Sequence, residues 1–400
     1  VHVNAIKAKS LIIRYLKKQA HSLKAVSAHF YMLTVVLVGF LAACDNPAIP
    51  TQIKNTTEAT MTNKEWSTTI SAPTEYAVQF MEGYFETIDG EYKGLPSRRD
   101  VNEEWGSGYS TYSASDHAIP KRLVVTWYSY REDTFFHGDF ALDTTVIAAG
   151  FDETAIPPYG DTINTKRYLT VGVAPQGFVV VWLGEENHEW VVFTGKAVEV
   201  EGIPWKEVVD APEFSKEEVL TAIVEDNLND AKDSPHVNDP TYWQRLHAKQ
   251  YHYDIVIEGA YTPYSISSYF YDKTMHKYFS DNTNFTQKPL SIVKTIRFAY
   301  FFPDHGPVVS LEDIDFDEFE QAMQTLTNQN HGDVRVVVSV TGDLSGWAFD
   351  VDMRIENDKN RIPIKNFTFE RTDNTEYMEK VKADKRKMRY MNQWDKPATP

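Results

Sequence analysis

Cysteine is all but absent: Cys44 is the only one in 400 residues. One thiol forms no internal disulfide and supplies no zinc–thiolate site. Positive charge is also short, with 40 Lys and Arg against 57 Asp and Glu and a formal charge of −17. It is unevenly spread as well. Residues 1–43 hold six basic residues (Lys7, Lys9, Arg14, Lys17, Lys18, Lys24) and no acidic one, so the 357 residues that follow carry −23. A body that acidic does not track a nucleic-acid backbone, nor hold to an anionic lipid surface by its own charge. The signatures of common chemistry are missing too. There is no P-loop, no Gly-x-Gly-x-x-Gly turn, no Gly-x-Ser-x-Gly elbow and no His-Glu-x-x-His pair.

The N-terminus carries the clearest signal. After the basic flank comes an apolar run, Phe30 to Ala43, that ends on Cys44. A basic flank, a short apolar core and small residues before a cut site mark an export signal that is removed. The uncharged stretch from Ala25 to Cys44 is also about long enough to cross a bilayer, so hydropathy alone leaves both readings open. Leu41-Ala42-Ala43-Cys44 resembles the lipobox of bacterial lipoproteins. That resemblance implies a diacylglyceryl thioether on Cys44, cleavage before it, and a third acyl chain on the new N-terminus. Two or more acyl chains anchor a protein stably. The expected place is the cell envelope, facing the periplasm. Asp45 resembles an inner-membrane retention signal, and the choice of inner or outer membrane stays open. Because the sequence opens on Val1, its start is expected to be over-extended, with the true start before Lys24.

The expected organisation is a signal peptide at 1–43, a lipidated flexible tether at 44–65, a first β-rich lobe at 66–212, a helical connector at 213–250, a second β-rich lobe at 251–372 and a polar tail at 373–400. The tether is rich in Thr and Asn, and as a coil would reach roughly 25 Å. Runs such as 122–130, 168–175, 178–183 and 190–200 are rich in β-branched and aromatic residues and bounded by turn formers. Pro175-Gln176-Gly177 reads as a hairpin turn. Helical spacing is confined to Phe214–Ala231 (with Ser215 and Glu218 as a capping box), a short helix opened by Asp239-Pro240, and Asp313–Asn328. The order of elements repeats. Segment 76–85 matches 253–261, 123–130 matches 292–300, and the hairpin 168–183 matches 334–351. The expected fold class is therefore α+β and β-dominated, with two similar antiparallel β lobes from an internal duplication, joined by a helical segment.

Three pieces of the first lobe carry a family resemblance. They are Trp66 with Ser71-Ala72-Pro73 and Tyr76; Pro120 to Ser129 with Glu132, Phe136, Gly138 and Leu142; and Gly172-Val-Ala-Pro175-Gln-Gly177 running into Trp182. Together they resemble the bacterial lipoproteins grouped as domain of unknown function 2931, best over 66–200 and loosely in the second half. The resemblance implies an envelope location and supplies no activity. Some such lipoproteins look, by genomic company, like immunity partners of secreted antibacterial effectors.

Chemistry is harder to place. Gly106-Ser107-Gly108-Tyr109-Ser110 has the wrong spacing for a serine elbow. Asp313-x-Asp315-x-Asp317 opens like a calcium loop, but it lacks the following glycine and a Glu at position 12, so it reads as an acidic first helical turn. No two of the nine histidines after Cys44 pair at i, i+4 on a helix, and His247 and His252 straddle a helix–strand junction. A dyad of His137 with Asp139 or Glu132 has no spacing signature. No catalytic residue, metal ligand or cofactor is assigned. Trp127, Trp182 and Trp347 sit in apolar alternation and read as core. Trp105, Tyr109 and Tyr112 lie in a Gly/Ser-rich loop and are the expected protein-binding residues, with a loop folded back on the sheet as the alternative. The function expected is an envelope protein-binding module, of the effector-neutralising kind, that meets a basic periplasmic partner and no nucleic acid. The alternative is an envelope hydrolase whose site leaves no sequence signature.

Overall fold

β-Branched and aromatic residues dominate from Lys64 onward, and strands follow them. The computed structural model describes residues 63–373 apart from 103–104, 107–108, 111–113, 153–166, 185–187, 210–213, 232–235, 264, 280–288, 301–305, 329–332 and 345–347. The first lobe runs through β1 (Lys64–Ser71), β2 (Val78–Thr87), β3 (Tyr92–Gly94), β4 (Arg99–Val101), β5 (Tyr109–Ser110), β6 (Ser115–His117), β7 (Pro120–Ser129) and β8 (Thr134–Ala141). Helix α1 (Thr144–Asp152) follows, then β9 (Arg167–Ala174), β10 (Phe178–Gly184), β11 (His188–Lys196) and β12 (Val198–Val200). Helices α2 (Lys216–Asp230) and α3 (Tyr242–Ala248) lead to the second lobe. That lobe comprises β13 (Tyr253–Gly259), β14 (Ser265–Phe270), β15 (Met275–Phe279), β16 (Val293–Ala299) and β17 (Pro307–Glu312), then α4 (Phe316–Thr327), β18 (Val334–Asp343), β19 (Ala348–Glu356), β20 (Arg361–Ile364) and β21 (Thr368–Asp373).

The two lobes share one pairing scheme. In the first, β2, β7, β8 and β12 pair antiparallel in that order, and β1 pairs parallel with β9, which continues antiparallel to β10 and β11. In the second, β14, β16, β17 and β21 repeat the former, and β13, β18, β19 and β20 repeat the latter. Even β3 on the edge of β2 has its counterpart in β15 on the edge of β14. Every direction matches, as a duplicated unit requires. Two details differ from the sequence reading. Segment 253–261 is equivalent to β1, not to 76–85; the shared Glu-Gly and aromatic are a local likeness. Each lobe also contains one parallel pair, because a whole sheet and a helix intervene between its strands and provide the long crossover that parallel pairing needs.

Helix α2 begins at a complete capping box: Ser215 accepts from the Glu218 N–H while the Glu218 carboxylate accepts from the Ser215 N–H. Helix α4 is capped by Asp315, whose side chain accepts from the Glu318 N–H at 2.7 Å. Its carboxylate is thus engaged in capping, which is the acidic-turn reading of 313–317. Among the described residues no helix is long and apolar enough to cross a membrane.

Each lobe is a sandwich. The first closes on Trp66, Ile70, Phe80, Phe85, Trp127, Val171, Val181 and Leu183, with Ile147 and Phe151 of α1. The second closes on Ile255, Phe270, Ile296, Phe298, Leu311, Val338 and Met353, with Phe319 and Met323 of α4. Helix α2 covers the outer face of the β2–β7–β8 sheet through Val219, packed with Tyr128, Tyr130 and Phe135. The lobes are joined by β11 pairing with β15, where Glu189 faces Met275. One sheet path thus runs from β21 through to β1.

Candidate functional site

Three places in the fold gather polar or aromatic side chains in ways that core packing alone does not require. The first is the seam between the lobes. Here β10 turns Phe178, Val180 and Trp182 away from its own lobe and into the core of the second. The Trp182 Nε1–H donates to the Asp272 carbonyl at 2.8 Å. Trp105 stands edge-on to Trp182, ring centroids 5.0 Å apart, with Trp243 of α3 at 5.5 Å. His247 lies 6.0 Å from Trp105, 5.7 Å from Trp182 and 5.4 Å from Phe178. Among the described residues neither of its ring nitrogens has a hydrogen-bond partner, and burial pulls its pKa down to about 3, so the ring is neutral. Burial pushes Glu189 up to about 8 and Asp272 up to about 6. Burial thus shifts all three groups of the seam toward their neutral forms.

Trp105 therefore corrects the expectation of an exposed binding loop, being only 1% exposed. Just after this residue the chain is tied to β1: the Gly106 N–H donates to Ser71 Oγ at 2.8 Å, and β5 pairs with the edge of β1. Gly172 makes room for it: a Cβ there would lie 2.4 Å from the Trp182 ring and 2.9 Å from that of Trp105. Tyr109 is in β5 and its side chain lies outside the described residues, as do Tyr112, Trp347 and Cys44. Trp127 is core, as expected. His137 and Asp139 do not form a dyad. His137 Nδ1 pairs with Thr126 Oγ1 at 2.9 Å, Asp139 is clamped by Arg122 at 2.6 Å, and Glu132 accepts from Ser129 and from the Gln176 N–H.

The second place is the outer face of the β13–β18–β19–β20 sheet, the counterpart of the face that forms the seam. Its charges run in a ladder across four strands: Asp254, Arg335, Glu356 and Arg361 stand side by side. Glu356 is nearly enclosed and receives Arg354 at 2.7 Å, Arg335 at 3.0 Å and Arg361 at 3.2 Å. The Arg354 hydrogen bond holds its carboxyl below the usual range. Arg354 also reaches Glu258 at 2.8 Å and Ser339 at 2.6 Å. Asp350 and Asp352 are exposed beside them.

The third place is the open end of the first sandwich. The Lys93 ammonium on β3 lies 4.9 Å from the centre of the Trp66 ring and donates to Ser115 Oγ at 2.8 Å. On its other side, Ser115 Oγ is 3.0 Å from His117 Nε2. β6 places Ser115 opposite Trp66 and His117 opposite Lys64. Lys93 is 6% exposed, while Ser115 is exposed. Burial brings the lysine down to about 8. His117 is lowered by burial and then by Lys93, against the opposing pull of Asp89, Glu91 and Asp116. The sequence reading missed all three residues: 22 positions separate Lys93 from Ser115, and no short motif encodes their meeting.

Fold and sites together define a β-rich protein of two duplicated lobes sealed by a tryptophan seam. A family model described as a protein of unknown function, DUF2931, matches residues 50–253. The match spans half of the chain, and the protein belongs to this family. It reaches further than 66–200, taking in the first lobe and both connecting helices and ending at the first residue of β13. No curated protein and no solved structure matches the chain.

Proposed function

We propose that the protein is an envelope lipoprotein, anchored by acylated Cys44 on the periplasmic side, whose folded lobes bind another protein. The observation that supports this reading is the open face of the second lobe. The same face in the first lobe is an interface between lobes, whereas here, among the described residues, it presents a charged, ion-paired surface. Exposed Asp350 and Asp352 and the half-exposed Glu258 give that surface an acidic edge suited to a basic partner, and complementary charge speeds encounter and fixes register. On this reading the contact surface lies on β18–β20, since Trp105 itself is buried in the seam.

Two measurements test the reading. Cys44→Ser should abolish incorporation of labelled fatty acid and leave the precursor uncut; persistent labelling would remove the anchor. A photo-crosslinker at Asp352 in cells should capture one basic envelope protein, and Asp350→Lys with Asp352→Lys should weaken its binding by about tenfold or more. Unchanged affinity in the folded double variant would rule this face out.

A further inference from the structure

We infer that Lys93, Ser115 and His117 form an acyl-transfer site that hydrolyses neutral or cationic carboxylic esters. The inference is independent of the binding reading: it concerns the opposite lobe and a different surface. Its basis is geometric. Ser115 is an exposed residue whose hydroxyl accepts from Lys93 Nζ at 2.8 Å and lies 3.0 Å from His117 Nε2, distances within the reach that proton transfer needs. The lysine has been withdrawn from water against Trp66 and Phe85, which themselves meet edge-on at 5.8 Å. Among the described residues no carboxylate pairs with it, and burial is the sole cause of its lowered pKa. An ammonium ion used for structure is normally either solvated or paired with a carboxylate. One desolvated against rings and aimed at a hydroxyl is poised to lose its proton, which is how a lysine becomes a base.

The frame is rigid where it matters. β3 is stitched to the first sheet by Thr68 Oγ1 donating to the Gly94 carbonyl at 2.9 Å, so Lys93 and the β1–β6 ladder cannot drift apart. His117 packs edge-on to Trp66 at 5.7 Å, which fixes its ring beside Ser115. The charged groups around His117 are Lys93, Asp89, Glu91 and Asp116, with Lys64 opposite it on β1 and paired to Asp152 at 2.6 Å. Asp89, Glu91 and Asp116 form an acidic rim that repels a substrate bearing its own carboxylate. This is why the class is limited to neutral or cationic esters.

In the reaction, neutral Lys93 takes the Ser115 hydroxyl proton as Oγ bonds to the acyl carbon. The tetrahedral adduct collapses, the bond to the alcohol oxygen breaks, and the alcohol leaves with the proton from Lys93. Water then attacks the acyl-serine and gives a proton to Lys93. That proton returns to Ser115 Oγ as the carboxylic acid departs. Ester and water become acid and alcohol, with no oxidant or reductant.

The experiment uses the full chain in detergent with a neutral fluorophosphonate probe and, separately, 4-nitrophenyl butyrate. The probe should form one adduct, located on Ser115 by peptide mass spectrometry. Its rate should rise with pH through about 8, because only the neutral amine of Lys93 accepts the proton. Ser115→Ala should be unlabelled. Lys93→Arg and Lys93→Met should each slow labelling by roughly a hundredfold or more. Ser115→Ala alters an exposed side chain and should melt with the parent protein, and the pH profile of the parent needs no variant. The inference is overturned if Ser115 of the folded parent stays unlabelled from about pH 6 to about pH 9. It is also overturned if the rate follows an ionisation below 6.5, which would assign the base to His117.

Discussion

Phe178–Gly184 and Ala348–Glu356 are the same strand of the same unit, and they face opposite surroundings. Both turn alternate residues into their own sandwich: Val179, Val181 and Leu183 in one, Phe349, Val351, Met353 and Ile355 in the other. The remaining residues differ. In β10 they are Phe178, Val180 and Trp182, buried in the seam, and Gly184; in β19 they are Ala348, Asp350, Asp352, Arg354 and Glu356, on the open face. A strand covered on both sides reads as a continuous apolar run, and a strand covered on one side alternates. The duplicated unit has thus specialised by changing one face of one sheet. Pro363 at the outer edge of β19's neighbour β20 completes the difference, since proline blunts an edge strand against further pairing.

The comparison breaks most sharply at Trp182 and its counterpart Asp352. Trp182→Ala should cost about 3–5 kcal/mol in denaturant unfolding, because it empties a fully enclosed site and strands the Asp272 carbonyl. Asp352→Ala should stay within about 0.5 kcal/mol. Similar losses for the two would mean that the seam contributes no more to stability than the open face does.

Much of this was legible in the sequence, because periodicity and caps act locally. The run FVVVWL, the turn at Pro175-Gln176-Gly177 and the capping box of α2 each declare their structure within a few residues. The repeat in element order was legible for the same reason. What covers a face was not. Trp105 looks exposed in a Gly/Ser-rich loop, and its burial depends on Gly172, 67 positions away, lacking a Cβ. The Lys93–Ser115–His117 group depends likewise on β6 pairing with β1 while β3 pairs with β2. Such meetings follow from topology, which short-range spacing does not specify.

A smaller effect separates the two faces by pH. Glu356 on the open face has its carboxyl depressed by Arg354, so its stabilisation is complete above about 4.5 and is lost as pH falls through the depressed value. Glu189 in the seam behaves in the opposite way. The unfolded chain releases that proton near 4.5 while the folded chain keeps it to about 8, so stability falls as pH rises between those values. Glu189→Gln removes the titration. The decline in unfolding free energy from about pH 5 to about pH 8 should flatten, by on the order of 1–2 kcal/mol once discounted for residual solvent. A slope the same as that of the parent protein would show that Glu189 ionises freely.

The smallest effect on stability should come from making the open face resemble the seam. Asp350→Val with Asp352→Trp gives β19 the residues that β10 carries as Val180 and Trp182. Both aspartates are exposed, so nothing in the sandwich is disturbed and the unfolding free energy should move by no more than about 0.5 kcal/mol. The consequence should appear in association instead. The seam's apolar face is stable because Trp105, α3 and the second lobe cover it, and no described residue covers β19 in the same way. An apolar patch placed there without a cover draws a second molecule. Sedimentation velocity should therefore show concentration-dependent dimers for the Val/Trp variant. The Asp350→Asn, Asp352→Asn variant, which removes the charge without adding apolar surface, should stay monodisperse. If both variants associate equally, loss of charge alone explains the effect, and the apolar face of β10 is not what recruits a neighbouring lobe.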